Sequence, residues 1–260
     1  MARRILGYLF LLCATLATYN CAKRGSPTGG EKDTTPPELI KATPENFSID
    51  FKANKIRLIF DEYIKLNDVR NQLVVSPPLK NTPLITPQGS ASKYIEITLK
   101  DTLLPNTTYT FNFGQSITDN NEGNPNSFLS YVVSTGSYID SLAIGGLVKD
   151  GINAEPDSFI SVMLYAMDST FNDSTVYKQP PLYITNTLDS LTTFSLKNLK
   201  EGTYAMVALK DENKNALFDQ AIDKIGFLPA PVTIPTDSFR VLTLFKETPN
   251  YSAIIPKLEA

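Results

Sequence analysis

The chain has 260 residues with 24 Lys and Arg against 27 Asp and Glu, so its net charge at neutral pH is −3. A protein that binds nucleic acid electrostatically needs a basic patch or stripe, and this composition offers no basic excess to build one. Histidine is absent from the sequence, which excludes a Ser-His-Asp triad, a Cys-His pair and any zinc site with a histidine ligand. The length that follows the N-terminal segment suits two domains of about 100 residues each.

The N-terminus has a short basic start over residues 1–4, an apolar run over residues 5–16 and then Cys21. The apolar run is too short for an ordinary transmembrane helix. This order resembles a bacterial lipoprotein signal peptide, with Asn20 at a position where Gly, Ala or Ser is usual. The resemblance implies that residues 1–20 are a cleaved signal peptide and that Cys21 carries the lipid that anchors the protein to the outer membrane.

Residues 21–33 are rich in Gly, Pro and charge and show no apolar periodicity, which is typical of a flexible tether. Lys23 and Arg24 follow the cysteine without an acidic cluster. In one large phylum of Gram-negative bacteria, an acidic run at this place resembles a surface-export signal. We therefore expect the protein to face the periplasm rather than the cell surface. Loss of Cys13 with the signal peptide would leave no cysteine for a disulfide.

Residues 34–137 predict the first of two β-sandwiches. Apolar and polar side chains alternate over 55–60, 94–99 and 108–113. Alternation with a period of two indicates half-buried strands. Prolines separate these stretches and no amphipathic helix is visible, so we expect an all-β domain.

The segment 104–109, Leu-Pro-Asn-Thr-Thr-Tyr, resembles a tyrosine corner, in which a tyrosine hydroxyl bonds to the backbone a few residues upstream. With its neighbours it resembles the bacterial Ig-like domain family named after the S-layer protein SbsA. The motifs that carry this resemblance are Asp33-Thr-Thr-Pro-Pro, Thr43-Pro, Ile56-Arg-Leu-Ile-Phe-Asp-Glu, the tyrosine corner and Ile117-Thr-Asp-Asn-Asn-Glu-Gly. The resemblance implies a sandwich with an extracytoplasmic role and no catalytic residues.

Three carboxylates in these motifs invite a catalytic or metal-binding interpretation: Asp61, Glu62 and Asp119. A third convergent group is not visible near either the pair or the single aspartate. We interpret Asp61 and Glu62 as a solvent-facing strand end and Asp119 as the start of an Asx turn, and we assign them no chemistry.

Residues 138–260 predict a second sandwich. Its predicted strands are 142–148, 159–167, 192–199, 203–209 and 240–245. The stretch 159–167 is apolar on both faces, so we expect it in the centre of a sheet. The run from Phe194 to Tyr204 resembles the pattern of transthyretin-like or carboxypeptidase-regulatory-like sandwiches, in which Gly202 supplies a turn and Tyr204 fixes the next strand.

One cluster has oxygen ligands at a metal-like spacing: Asp211, Asn213, Asn215, Asp219 and Asp223. Oxygen atoms on alternate residues can surround a hard cation such as calcium. Ala216 stands where such loops carry glycine, and no glutamate stands at the twelfth position. The alternative is a loop of Asx turns that satisfies its own backbone, and the sequence leaves both interpretations open.

Asp-Ser and Asp-Thr pairs followed by an apolar residue or threonine recur along the chain, and we single out six of them. They resemble the acceptor pattern for O-glycosylation of exported proteins in the same phylum. The candidate acceptors are Thr34, Thr102, Ser141, Ser169, Ser174 and Ser190. Because so short a pattern also arises by chance in a chain rich in Ser, Thr and Asp, mass spectrometry of the native protein is its test.

The sequence as a whole indicates a non-enzymatic cell-envelope lipoprotein. Its Ig-like and transthyretin-like domains would present loops or sheet edges to an envelope protein or glycan. Two alternatives stay open: an accessory part of an envelope hydrolase, and a calcium-dependent adhesion module based on residues 211–223. We expect no catalytic residue, no nucleic-acid partner, and no cofactor other than calcium in the second alternative.

Overall fold

A computed structural model of the chain describes residue 7 and residues 30–127, 129–154, 157–187, 191–236 and 238–246. Apart from residue 7, the predicted signal peptide lies outside the described residues, as do Cys21 and Ser190. Two compact units are present, Met1–Asp33 and Thr34–Ala260. In the described residues no helix is both long enough and apolar enough to cross a membrane.

Strands dominate the described part of the chain, and its two helices have four residues each. The strands of the first sandwich are β1 (Leu39–Thr43), β2 (Lys55–Leu66), β3 (Val74–Ser76), β4 (Leu84–Thr86), β5 (Ser92–Thr98), β6 (Thr108–Asn112), β7 (Ile117–Asp119) and β8 (Ser130–Ser134), with helix α1 (Val69–Gln72). Those of the second are β9 (Leu142–Asp150), β10 (Ser161–Ala166), β11 (Tyr183–Asn186), β12 (Thr193–Leu199), β13 (Gly202–Lys210), β14 (Lys224–Phe227), β15 (Val232–Ile234) and β16 (Arg240–Leu244), with helix α2 (Thr175–Lys178).

The first sandwich packs an antiparallel sheet of order β1-β2-β5-β4 against a second sheet of order β3-β6-β8. Strand β7 pairs with the far end of β2, where Ile64 lies opposite Asp119. The predicted alternation decides which face is buried, because Ile56, Leu58 and Phe60 point inward and are at most 1% exposed. They pack on the inward side chains of β5, β6 and β8 in one apolar core.

The second sandwich has one sheet of order β11-β10-β13-β14, with β15 on the far end of β13, and a second sheet of order β12-β9-β16. Strand β16 runs parallel to β9, with Arg240 opposite Gly146. A Cβ atom on Gly146 would contact the Arg240 carbonyl and lie 2.6 Å from the Phe194 ring, so the close pairing requires glycine here.

The central position predicted for the stretch 159–167 is confirmed, since β10 lies between β11 and β13. Val162 and Leu164 enter the main core, and Met163 enters a smaller core on the opposite face. The strand begins at Ser161 rather than at Phe159, because Phe159 adopts a left-handed backbone conformation with a φ of 53°.

The predicted fold class, two tandem all-β sandwiches, is confirmed. The buried core of the first sandwich lies within residues 42–133, and the two cores of the second lie within residues 144–244. No buried residue is shared between them in the described part of the chain, so the sandwiches meet through surface contacts rather than through a common core.

Candidate functional site

The predicted tyrosine corner is confirmed. The Leu104 N–H donates to the Tyr109 hydroxyl oxygen over 2.9 Å. The Thr135 hydroxyl supports the same turn, because it donates to the Leu104 carbonyl and accepts from the Thr107 N–H. Burial raises the pKa of Tyr109. The corner therefore fixes the crossover into β6 and remains uncharged.

A second tyrosine performs the same task at the turn between β12 and β13. The Tyr204 hydroxyl donates to the Lys200 carbonyl over 2.9 Å. A Cβ atom on Gly202 would lie 3.0 Å from the Tyr204 hydroxyl oxygen. The predicted roles of Gly202 and Tyr204 are thus confirmed, and the glycine is needed so that the ring can lie against the turn.

Asp119 is 2% exposed and accepts four backbone hydrogen bonds from its own turn. The donors are the N–H groups of Asn121, Glu122, Gly123 and Asn124, at 2.6–3.0 Å. Burial acts to raise the pKa of this carboxyl, but the four donors together outweigh burial and lower the pKa. The carboxylate therefore stabilises its own turn, as the interpretation of Asp119 as the start of an Asx turn predicts.

Two further side chains of the first sandwich, Asp61 and Asn126, also bind backbone groups. Asp61 accepts the Glu38 N–H over 2.9 Å. The Asn126 side-chain amide donates to the Pro37 carbonyl over 2.8 Å. These two bonds fasten the first residues of the folded unit to β2 and to the Asp119 turn, so this end of the sandwich receives the N-terminal segment.

The loop that follows β13 contains the predicted calcium ligands. Asp223 is fully buried and accepts the N–H groups of Glu212 and Asp219, at 3.0 and 2.7 Å. Asp211 accepts the Ala216 N–H over 2.6 Å. Ala216 takes a left-handed φ of 57°, so the sharp turn forms without the glycine that calcium loops carry.

The remaining predicted ligands make Asx turns or stay in solvent. Asn215 accepts the Leu217 N–H over 2.8 Å, and Asp219 accepts the Ala221 N–H over 3.0 Å. Asn213 is exposed. In the described residues no group of three or more His, Cys, Asp or Glu side chains is arranged to hold a metal ion. These bonds are those of the Asx-turn alternative, and calcium binding stays a prediction.

The candidate O-glycosylation acceptors that the structure describes lie on loops. Thr34, Thr102, Ser141 and Ser169 are exposed. Ser174 is partly buried, and its hydroxyl donates to the Asn172 side-chain oxygen over 2.6 Å. Modification of these residues stays a prediction.

An ion triad joins the end of β9 and the loop after it to the start of β14. The Lys224 ammonium lies 2.7 Å from a carboxylate oxygen of Asp150 and 2.7 Å from one of Asp157. Asp150 also accepts the N–H groups of Asn153 and Ile152, and these bonds with Lys224 hold its pKa well below the usual range. The hydrogen bonds from the Lys224 ammonium to the carboxylates of Asp150 and Asp157 raise the pKa of Lys224. The triad fastens the loop after β9 to β14.

Polar contacts join the two sandwiches. The Thr108 hydroxyl donates to the Asp140 carboxylate over 2.8 Å, and the Asp140 N–H donates back to that hydroxyl over 3.0 Å. Asn198 bridges the same region, because it donates to the Asp140 carbonyl and accepts from the Thr110 hydroxyl. Asn198 takes a left-handed φ of 58° at a register shift of β12.

A further contact lies between β3 and β11. The Ile184 N–H donates to the Ser76 hydroxyl over 3.1 Å. Since Ser76 is only 8% exposed, this bond is largely removed from water. The sandwiches are thus held by hydrogen bonds between β6 and β12 and between β3 and β11.

A cleft of about 260 Å³ lies between the sandwiches, and we call it the inter-sandwich cleft. Strands β3, β6, β11 and β12 line it, together with Ser130 at the start of β8. Lining residues with polar side chains include Ser76, Thr110, Asn112, Asn186, Thr193 and Ser195. The Asn186 side-chain oxygen is buried and has no hydrogen-bond partner. No sequence pattern predicts this cleft, since its residues come from five separate strands without a shared motif.

Two family models match parts of the chain. Residues 33–135 match the family described as Bacterial Ig-like domain. Residues 151–238 match the family described as uncharacterized protein conserved in bacteria (DUF2141). The first sandwich is therefore an Ig-like structural or binding module, as its resemblance predicts. No curated protein matches the chain.

Solved structures give weak similarities. An L,D-transpeptidase from Mycobacterium smegmatis has 11% identity and a TM-score of 0.25, over 59% of this chain and 77% of that one. The N-terminal part of the bacterial S-layer protein SbsC has 11% identity and a TM-score of 0.27, over 82% of this chain and 44% of that one. BcpA, the major pilin subunit of Bacillus cereus, has 11% identity and a TM-score of 0.23, over 80% and 69%. Scores at this level transfer no property to the chain.

Proposed function

We propose that the chain is a non-enzymatic lipoprotein of the cell envelope. A lipid on Cys21 anchors it in the outer membrane, and its two sandwiches face the periplasm as a binding or structural module. The observation that carries the proposal is the match of residues 33–135 to a bacterial Ig-like domain, directly after a segment with the order of a lipoprotein signal and a tether.

The contacts at the start of the folded unit suit a tethered protein. Backbone and side-chain bonds hold the segment around Pro37 and Glu38 to β2 and to the Asp119 turn. The residues that follow a tether would therefore be fixed to the first sandwich and would not hang from it as a loose peptide.

A non-enzymatic role agrees with the chemistry of the buried carboxylates. Asp119 and Asp223 accept backbone N–H groups, and Asp150 binds Lys224. Each of these acids has a structural partner and stabilises a loop. With no histidine in the chain to act as a base, these residues are better explained by stability than by proton transfer.

Metabolic labelling with an alkyne analogue of palmitate tests the anchor. The wild-type chain should incorporate label and fractionate with the outer membrane. Cys21→Ala should lose both properties, and Cys13→Ala is the matched control that should keep both. Equal labelling of wild type and Cys21→Ala, or no labelling of either, would refute the proposal.

Protease treatment of intact and lysed cells tests the orientation separately. We expect the second sandwich to resist digestion until the cells are lysed. Digestion in intact cells would place it at the cell surface and overturn the periplasmic orientation while leaving the lipid anchor in place.

A further inference from the structure

We propose that the inter-sandwich cleft binds an extended peptide, which adds as a strand to the outer edge of β12. The inference rests on the proposed function as a binding module and names the class of ligand that the module takes. It follows from the direction of the backbone groups of β11 and β12, from an unpaired amide oxygen, and from the chemistry of the lining.

Strand β12 is at the edge of its sheet and, among the described strands, pairs with β9 alone. The Val148 N–H donates to the Thr192 carbonyl over 2.9 Å, which sets the alternation of the ladder. In an antiparallel pair every second residue directs its N–H and C=O away from the partner. Thr193 and Ser195 therefore direct these groups outward, and both residues line the cleft.

Strand β11 presents a second edge to the cleft. The Thr187 N–H donates to the Ile160 carbonyl over 2.9 Å, so the backbone groups of Ile184 and Asn186 point away from β10. The Ile184 N–H is taken by Ser76 of the first sandwich. Asn186 lies two residues further along, and both it and Ser76 line the cleft.

The Asn186 side-chain oxygen indicates that the cleft needs a donor. A buried amide oxygen without a hydrogen bond has lost its water and gained no partner, which is costly in free energy. Asn186 lines the cleft, so a rotation of its side chain towards the cleft would let a peptide N–H satisfy this oxygen. The outward N–H and C=O groups of β12 would at the same time bind the complementary groups of the peptide.

The lining favours a peptide over a glycan. Sugar rings commonly stack on exposed aromatic side chains, and the aromatic residue among the lining residues, Phe194, is only 5% exposed. Regularly spaced backbone groups on a strand edge match an extended peptide instead. Among the described residues that line the cleft, Lys197 is the charged one and none is a carboxylate, which favours a neutral or acidic peptide.

Random heptapeptides displayed on phage are the first probe, selected on the full-length chain in detergent. An enriched peptide is then synthesised, and its binding is measured by calorimetry and by amide chemical shifts. We expect the largest shifts at residues 193–197. Two sets of peptides are then N-methylated at alternate residues, one set at the odd positions and the other at the even positions. Only every second peptide N–H faces β12, so one set should lose binding and the other should keep it.

Variants of the cleft separate backbone from side-chain recognition. Ser195→Pro removes an outward N–H at an edge, a position where strands tolerate proline. It should abolish peptide binding, and Ser195→Ala should retain it. Asn186→Leu is a second variant that leaves β12 intact and removes the unpaired oxygen, and it should weaken binding about tenfold.

Three results would overturn the inference: no enriched peptide, peptide binding unaffected by Ser195→Pro and Asn186→Leu, or shifts at the cleft caused by chitotetraose and not by peptides. Each of them leaves palmitate labelling at Cys21 as the independent test of the proposed function. Labelled wild-type protein without peptide binding would therefore refute the ligand class alone.

Discussion

Replacement of Asp119 by alanine tests how the turn after β7 stabilises the first sandwich. The carboxylate accepts four backbone N–H groups, three at one oxygen and one at the other. It is 2% exposed, and β7, which contains it, pairs with the far end of β2. Loss of the carboxylate therefore releases both the turn after β7 and the attachment of β7 to the sheet.

The size of the effect follows from the number of bonds and from where the donors lie. The turn is largely open to solvent, so the freed N–H groups of Asp119→Ala can bind water and avoid the full cost of burial. A net contribution of about 1 kcal/mol per bond gives a loss of roughly 3–4 kcal/mol in the free energy of unfolding. Asp119→Asn keeps one acceptor oxygen and should lose about 2 kcal/mol.

Urea denaturation followed by circular dichroism measures this loss, with tyrosine fluorescence as a second probe because the chain has 12 tyrosines and no tryptophan. The folded-state pKa of Asp119 is below its usual value. Its stabilisation is therefore fully present above the unfolded-state pKa of about 3.9 and is lost as the pH falls through the lower folded-state value. The difference between wild type and Asp119→Ala should shrink as the pH is lowered below about 4.

Asp168→Ala is the matched control, since Asp168 accepts the N–H of Thr170 in an exposed turn. We expect it to leave the denaturation midpoint almost unchanged. A loss under about 1 kcal/mol in Asp119→Ala, or a difference from wild type that grows as the pH falls, would refute the assigned role of the carboxylate.

Three further substitutions test the second sandwich and the tyrosine corner. Tyr109→Phe should lower the free energy of unfolding by about 1–2 kcal/mol, because a backbone N–H loses its acceptor; the same urea titration measures it. Gly202→Ala should cost about 1–2 kcal/mol because its Cβ displaces the ring of Tyr204, and loss of the ring's close contacts in a two-dimensional NMR spectrum would report the displacement. Lys224→Met should cost about 2–3 kcal/mol, because the Asp150 side chain is only 3% exposed and loses its counter-ion; an unchanged thermal midpoint would count against the ion triad.

The long strands could be predicted from the sequence because their burial follows the alternation of side chains. Ile56, Leu58 and Phe60 repeat the pattern over the first half of β2, and Val162 and Met163 identify a strand that is apolar on both faces. Strands β3, β4, β7 and β15 have three residues each, which is too short to show a period of two. The parallel pairing of β16 with β9 joins distant parts of the chain, so no local pattern indicates it.

The roles of single residues could be predicted where their hydrogen bonds lie within one turn. Asp119 and Tyr109 lie in motifs whose bonds stay within a few residues, and the structure places both as expected. The inter-sandwich cleft could not be predicted in this way. Ser76, Asn186 and Ser195 come from different strands, and each resembles an ordinary strand residue until the sheets bring their edges together.

The polar contacts between the sandwiches explain why a cleft persists there. An apolar interface would close until water is expelled, because its stabilisation grows with the buried area. Hydrogen bonds instead act at fixed points, and those of Asp140 with Thr108 and of Ile184 with Ser76 hold the sandwiches without filling the space between them. The bonds that orient the sandwiches therefore also set the width of the cleft. A strand added to β12 would lie against β6 and β11 as well, so its binding free energy depends on that orientation.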